Sequence, residues 1–217
     1  MNTLIVITIL TTFGFLFETP AQTDVTTPGD PIIGGQMIGG VFAPATQGAP
    51  AGNANMYPID GLPAFVIDNG ATSRYRNFGE VFTGFVVTPN FGHNIGGTFV
   101  SSFSLITAPD APERDPLAFT LEGTQGDPLT GSYSLIFSGS TGLDVDPGRT
   151  AAKLTAFPVV GAFTSYRVIF PTVRNSTATD SMQIGEVQIN GVLAFPEPST
   201  FALLGISAIG ILATRRR

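Results

Sequence analysis

The sequence predicts an all-β domain, built as a sandwich or a barrel. Short β-type segments recur at close spacing, each bounded by Gly, Pro, Asn or Asp. No long stretch carries a helical period, and 26 Gly with 17 Pro supply turns rather than helix. Phe dominates the aromatic residues, with 18 against four Tyr and no Trp, and large apolar rings at alternating positions suit the inner faces of two sheets.

The elements follow in chain order. Leu4 to Phe17 is an uncharged apolar run of signal-peptide length, followed by Glu18, Pro20 and the small Ala21. Residues 1–22 are therefore expected to be an export signal. Residues 23–58 are rich in Gly, Pro, Ala and Thr, with Ile33-Gly34-Gly35 echoed by Ile38-Gly39-Gly40. They are expected to form a stem leading into a first edge strand. The body, residues 59–193, carries the expected strands: Gly84 to Thr88, Thr98 to Thr107, Leu117 to Glu122, Ser132 to Phe137, Ser165 to Phe170 and Ser181 to Ile189.

Residues 194–217 form the last unit. Phe201 to Ala213 is a run of thirteen apolar or small residues. As a helix at about 1.5 Å per residue it would span about 20 Å, against the roughly 30 Å of a bilayer core. A short transmembrane helix is expected, suited to a segment held in the membrane for processing. Arg215, Arg216 and Arg217 would keep its end in the cytoplasm and leave everything before Pro196 outside.

Composition excludes several function classes. The net charge is −6 with three of the ten basic side chains in the tail, so the body is more acidic still and nucleic acid is not an expected partner. The absence of cysteine removes disulfides, thiolate metal sites and thiol nucleophiles. His93 is the one histidine, which excludes a multi-histidine metal site. No combination of nucleophile, base and orienting group emerges, so the chain is not expected to be an enzyme.

Pro196-Glu197-Pro198, then Ser199-Thr200, a short apolar stretch and a terminal arginine cluster resemble the PEP-CTERM sorting signal of Gram-negative bacteria. The resemblance implies an exported protein and an exosortase-type transpeptidase of the inner membrane as partner, with the cell surface or extracellular matrix as destination. In the body, the run from Ala64 to Gly70, Ser73 to Gly79, GFVVTP, APDAPERDP before FTLEG, then SYRVIFPTVRN and SMQIGEVQI resemble the discoidin or coagulation-factor type C group. That resemblance implies a galactose-binding-like jelly-roll β-sandwich. It covers roughly Ile33 to Leu193.

Members of this fold often hold one structural calcium, and by position the matching carboxylates are Asp68 and Glu186. Carbonyls of Phe65, Gly70 and the Asn77 to Gly79 turn would join them, since calcium takes six to eight oxygens. Alternation along the last strand leaves Glu186 unresolved, because it shares a face with Met182 and Ile184 while Val187 and Ile189 point the other way. The other reading pairs Glu186 with Arg74 and leaves Asp68 to shape a turn. Sugar-binding members use an aromatic ring with Arg, Asn or Asp at one end of the sandwich. Arg74, Tyr75, Asn77, Asn90, Phe91 and His93 are the candidates here. Arg114 and Asp115 are expected to brace a loop, and Asp144 and Asp146 to form a solvated turn. The expected function is an envelope-sorted, non-catalytic module that binds or organises extracellular polysaccharide; the alternative is a structural or protein-interaction module without a sugar site.

Overall fold

Fifteen short strands account for most of the regular structure in the computed structural model, which describes residues 22–49 and 54–194. In chain order they are β1 (Thr23–Asp24), β2 (Ile32–Ile38), β3 (Val41–Pro44), β4 (Thr46–Gln47), β5 (Met56–Tyr57), β6 (Tyr75–Asn77), β7 (Thr83–Val87) and β8 (Thr98–Ile106). They continue as β9 (Ala118–Thr124), β10 (Ser134–Ser140), β11 (Ala152–Ala156), β12 (Ala162–Phe163), β13 (Ser165–Phe170), β14 (Met182–Ile184) and β15 (Glu186–Leu193). Among the described residues helix is confined to three short 3-10 segments, at Pro63–Ile67, His93–Ile95 and Pro112–Arg114.

Two antiparallel sheets face each other. One runs β1-β15-β8-β11 with β12 also on β8; the other runs β10-β9-β13-β7-β2-β3. The core lies between them, where rings cross the gap: Phe103 of β8 stacks on Phe119 of β9 at 4.3 Å, and Phe137 stacks on Phe157 at 5.2 Å. The expected β-sandwich is the fold observed.

From Thr23 to Pro44 the chain is part of the sandwich rather than a stem. β1 pairs with β15, and β2 lies inside the second sheet between β7 and β3. The glycines read as loop residues are the reason. Gly34 lies under the Tyr75 and Pro63 side chains and Gly35 under the Phe42 ring, positions where a Cβ would come within 3 Å of these atoms. The expected Ser181 to Ile189 strand is also divided. At Gly185 the backbone passes so close to the carbonyls of Ile106 and Thr107 that no side chain fits, and the chain changes partner there from β6 to β8.

Strand register defines two ends. Leu193 lies opposite Thr98 and Thr23 opposite Gly191, so the described chain enters and leaves at the same end, beside the 88–97 loop. Glu186 lies opposite Ile106 at the far end, with β6, β14 and the 107–117 and 141–151 loops. The expected export signal, apart from Gln22, and the sorting tripeptide with its apolar segment fall outside the described residues. Among the described residues no helix is long and apolar enough to cross a membrane.

Candidate functional site

The far end is built around two carboxylates, Glu186 buried and Asp68 half-buried. Pro63 opens a 3-10 turn whose Val66 and Ile67 enter the core, and Asp68 closes it. Asn69 takes a left-handed φ of 59°, which Asn tolerates better than most side chains. The Asp68 carboxylate accepts the Gly70 amide at 2.7 Å and the Ser73 hydroxyl at 2.8 Å through Oδ1. Turned back by this bend, the Asn69 amide donates to Oε2 of Glu186 at 3.1 Å.

Glu186 is 1% exposed, and its Oε1 is buried with no hydrogen-bond partner. Burial, and then the charge of Asp68, push its carboxyl up to about 8. Two converging carboxylates, one of them buried with an oxygen unsatisfied, form an arrangement that a cation would complete. Among the described residues no third carboxylate or imidazole joins them, so further ligands would be neutral oxygens such as backbone carbonyls. Of the expected carbonyls, Gly70 O accepts Ser73 and keeps one lone pair free for a cation, whereas Gly79 O already accepts both the Gln36 side-chain amide and the Val81 backbone amide.

Arg74 does not pair with Glu186. It reaches Asp60 at 3.0 Å and Asp110 at 3.7 Å. Two residues further on, within β6, Arg76 stacks over Phe78 at 4.6 Å, donates to the Ser181 hydroxyl and lies 3.6 Å from Asp180. Arg114 donates from Nε to the Thr179 hydroxyl. Gln183, opposite Arg76 on β14 and fully buried, ties the 108–111 loop down through the carbonyls of Asp110 and Ala111. Phe82 stands at the same end with a φ of 53° and half its surface exposed. Deeper in, Asp115 has no exposed surface and is gripped by Arg149 at 2.7 Å and Arg174 at 3.2 Å. Asp115 braces its loop as expected. Asp146 lies in the expected solvated turn, where it is exposed and accepts the Gly148 amide, and it also pairs with both of these arginines.

The sugar candidates divide among three places. Arg74 belongs to the charged end. Tyr75 and Asn77 lie inside the core, Tyr75 donating to the Gly84 carbonyl and Asn77 to the Tyr75 oxygen, and a ring with no exposed face offers no platform to a sugar. Asn90, Phe91 and His93 sit in the loop at the opposite end, where His93 is exposed and its Nδ1 lies 3.5 Å from the Thr164 carbonyl. Phe82 escaped notice in the sequence because its exposure follows from the backbone reversal at Glu80 and Phe82, both with positive φ, which no residue type in GEVF signals.

Residues 196–217 match the PEP-CTERM protein-sorting motif. The motif marks the chain for export and sorting to the cell envelope. Among solved structures, the body is similar to the family 32 carbohydrate-binding module of Clostridium perfringens NanJ, solved with galactose. The identity is 9%, over 78% of this chain and 99% of that one, with a TM-score of 0.50. It is also similar to a family 32 module from Clostridium perfringens solved with GalNAc-β-1,3-galactose, at 12% identity over 74% of this chain and 94% of that one, TM-score 0.48. A third similar structure is an F5/8 type C domain of Bacteroides fragilis, at 10% identity over 59% and 80%, TM-score 0.44. At such identities the likeness to the first module establishes the shared jelly-roll fold and nothing finer. No curated protein sequence matches the chain.

Proposed function

We propose that this chain is an exported, non-catalytic module that binds extracellular polysaccharide through the charged end of its sandwich and carries one structural calcium at Asp68 and Glu186. The observation that carries the sugar reading is the pairing of Arg74 with Asp60 and Asp110 and of Arg76 with Asp180 at the end of the sandwich where the Phe82 ring is also exposed. A sugar is held by an apolar ring against its C–H face and by planar guanidinium and carboxylate groups against its hydroxyls. The module of the same fold solved with galactose supports the reading.

Calcium would draw on both carboxylates, on the free Oε1 of Glu186 and on carbonyls of Phe65, Gly70 and the Asn77 to Gly79 turn. It would pin the Asp68 turn to the start of β15 and supply structure rather than chemistry. The tail reading assigns the Pro196-Glu197-Pro198 segment to an exosortase-type transpeptidase, with the apolar run held in the inner membrane before the protein reaches the surface or matrix.

Calorimetry tests both halves. Calcium should bind the wild type and fail to bind Asp68→Ala and Glu186→Ala. Exopolysaccharide fragments of the producing cell should bind the wild type and lose at least tenfold in affinity on Phe82→Ala or Arg76→Ala. A wild type that takes up no glycan discards the sugar reading and leaves a structural envelope module.

A further inference from the structure

The end where the described chain enters and leaves differs in character from the charged end. The 88–97 loop is packed against the exit: Gly92 lies on the side chains of Leu193 and Thr98, and the Ala194 amide donates to the Gly97 carbonyl. Gln125 ties the same loop to the 157–164 segment through the carbonyls of Gly96 and Ala162. On this connected surface Phe91 is 37% exposed, Ile95 45%, Val159 51% and Val160 57%. The 157–164 segment carries no charged residue, and the 88–97 loop carries only His93. Asp30 is turned inward onto the Thr27 and Asn90 amides, which leaves Asp127 as the exposed carboxylate of the neighbouring 125–133 loop. Exposed apolar side chains occur at the charged end as well: Ile59 precedes Asp60, Val145 lies between Asp144 and Asp146, and Ile38 and Val41 flank the β2-β3 turn, but that end also carries the Arg74, Arg76 and Arg149 ion pairs.

We propose that this uncharged loop end, with Phe91, Ile95, Val159 and Val160, rests on the lipid surface of the membrane that holds the C-terminal segment. The inference depends on the reading of residues 201–213 as membrane-embedded. Only six residues separate Ala194 from Phe201, a reach of about 25 Å at full extension. A surface tethered that closely meets the headgroup region at a high effective concentration, so modest apolar contact suffices. Few ionic groups there need be stripped of water. The same orientation turns the Arg74, Arg76 and Phe82 end away from the bilayer, toward the polymer outside.

The chain has no cysteine, so single nitroxide labels can be placed in the full-length protein by Phe91→Cys, Val160→Cys and, at the charged end, Val145→Cys. The protein is reconstituted with vesicles of phosphatidylethanolamine and phosphatidylglycerol and floated. With the protein floating, oxygen should relax the labels at 91 and 160 faster than a water-soluble nickel complex does, and the order should reverse at 145. A floating protein in which 91 and 160 behave like 145 overturns the lipid contact. Water-like labels at 160 broadened by a second label overturn it too, by showing that another copy covers the patch. A protein that does not float refutes the tail reading, and the lipid contact with it.

Discussion

Glu186 shows how one side chain joins fold and site. Its backbone starts β15, its Oε2 fixes the Asn69 bend and its Oε1 has no partner. With divalent ions removed by a chelator, this carboxyl is held protonated near neutrality, pushed up from the usual 4.5 to about 8. A carboxyl that binds its proton more tightly when folded contributes stability in full below the unfolded value, and that contribution disappears as pH climbs through the folded value. Metal-free protein should therefore lose a few kcal/mol between about pH 5 and pH 8, read as a falling urea midpoint. Saturating calcium should remove that decline, and Glu186→Gln should remove it without calcium. A flat metal-free profile in the wild type would show that Glu186 is solvated.

The divided last strand carries the argument at the scale of elements. Met182 to Ile184 pair with β6, Glu186 to Leu193 pair with β8, and Gly185 makes the transfer. A Cβ at Gly185 would lie 2.8 Å from the Thr107 carbonyl oxygen and 2.9 Å from that of Ile106, both rigid backbone. Gly185→Ala should cost roughly 1–3 kcal/mol as the strands are forced apart. It should also weaken calcium binding, because it shifts the neighbouring Glu186. Thermal denaturation and calorimetry of this variant check the two effects together. Unchanged calcium affinity at lowered stability would separate the site from the strand transfer.

The whole molecule is joined by rings that cross between its sheets. Phe119, on the six-stranded sheet, lies between Phe103 and Phe137 and is fully buried. Phe119→Ala should cost about 3–5 kcal/mol in equilibrium unfolding, because it opens a cavity where the sheets meet. A loss under 1 kcal/mol would mean that the core closes around the gap. The sandwich is also polarised along its length, with most ion pairs at the end away from the chain's entry and exit. This polarity gives one end to polymer and the other to the membrane in the functional reading proposed above.

Sequence by itself determined the fold class and the sorting address. Each is a local signal: turn residues between β-type runs, and a tripeptide before an apolar stretch and arginines. The tertiary structure decided what depends on residues distant in the chain. It placed Tyr75 and Asn77 in the core and set Arg74 against Asp60 and Asp110. It drew β1 into one sheet and β2 and β3 into the other, and put His93 at the opposite end from Arg74. The physical reason is that burial and register are fixed by pairing partners far apart in the chain, such as Glu186 with Ile106. Alternation along Ser181 to Ile189 left the face of Glu186 open, because the pattern is broken by a backbone contact at Gly185 that only the folded neighbour creates.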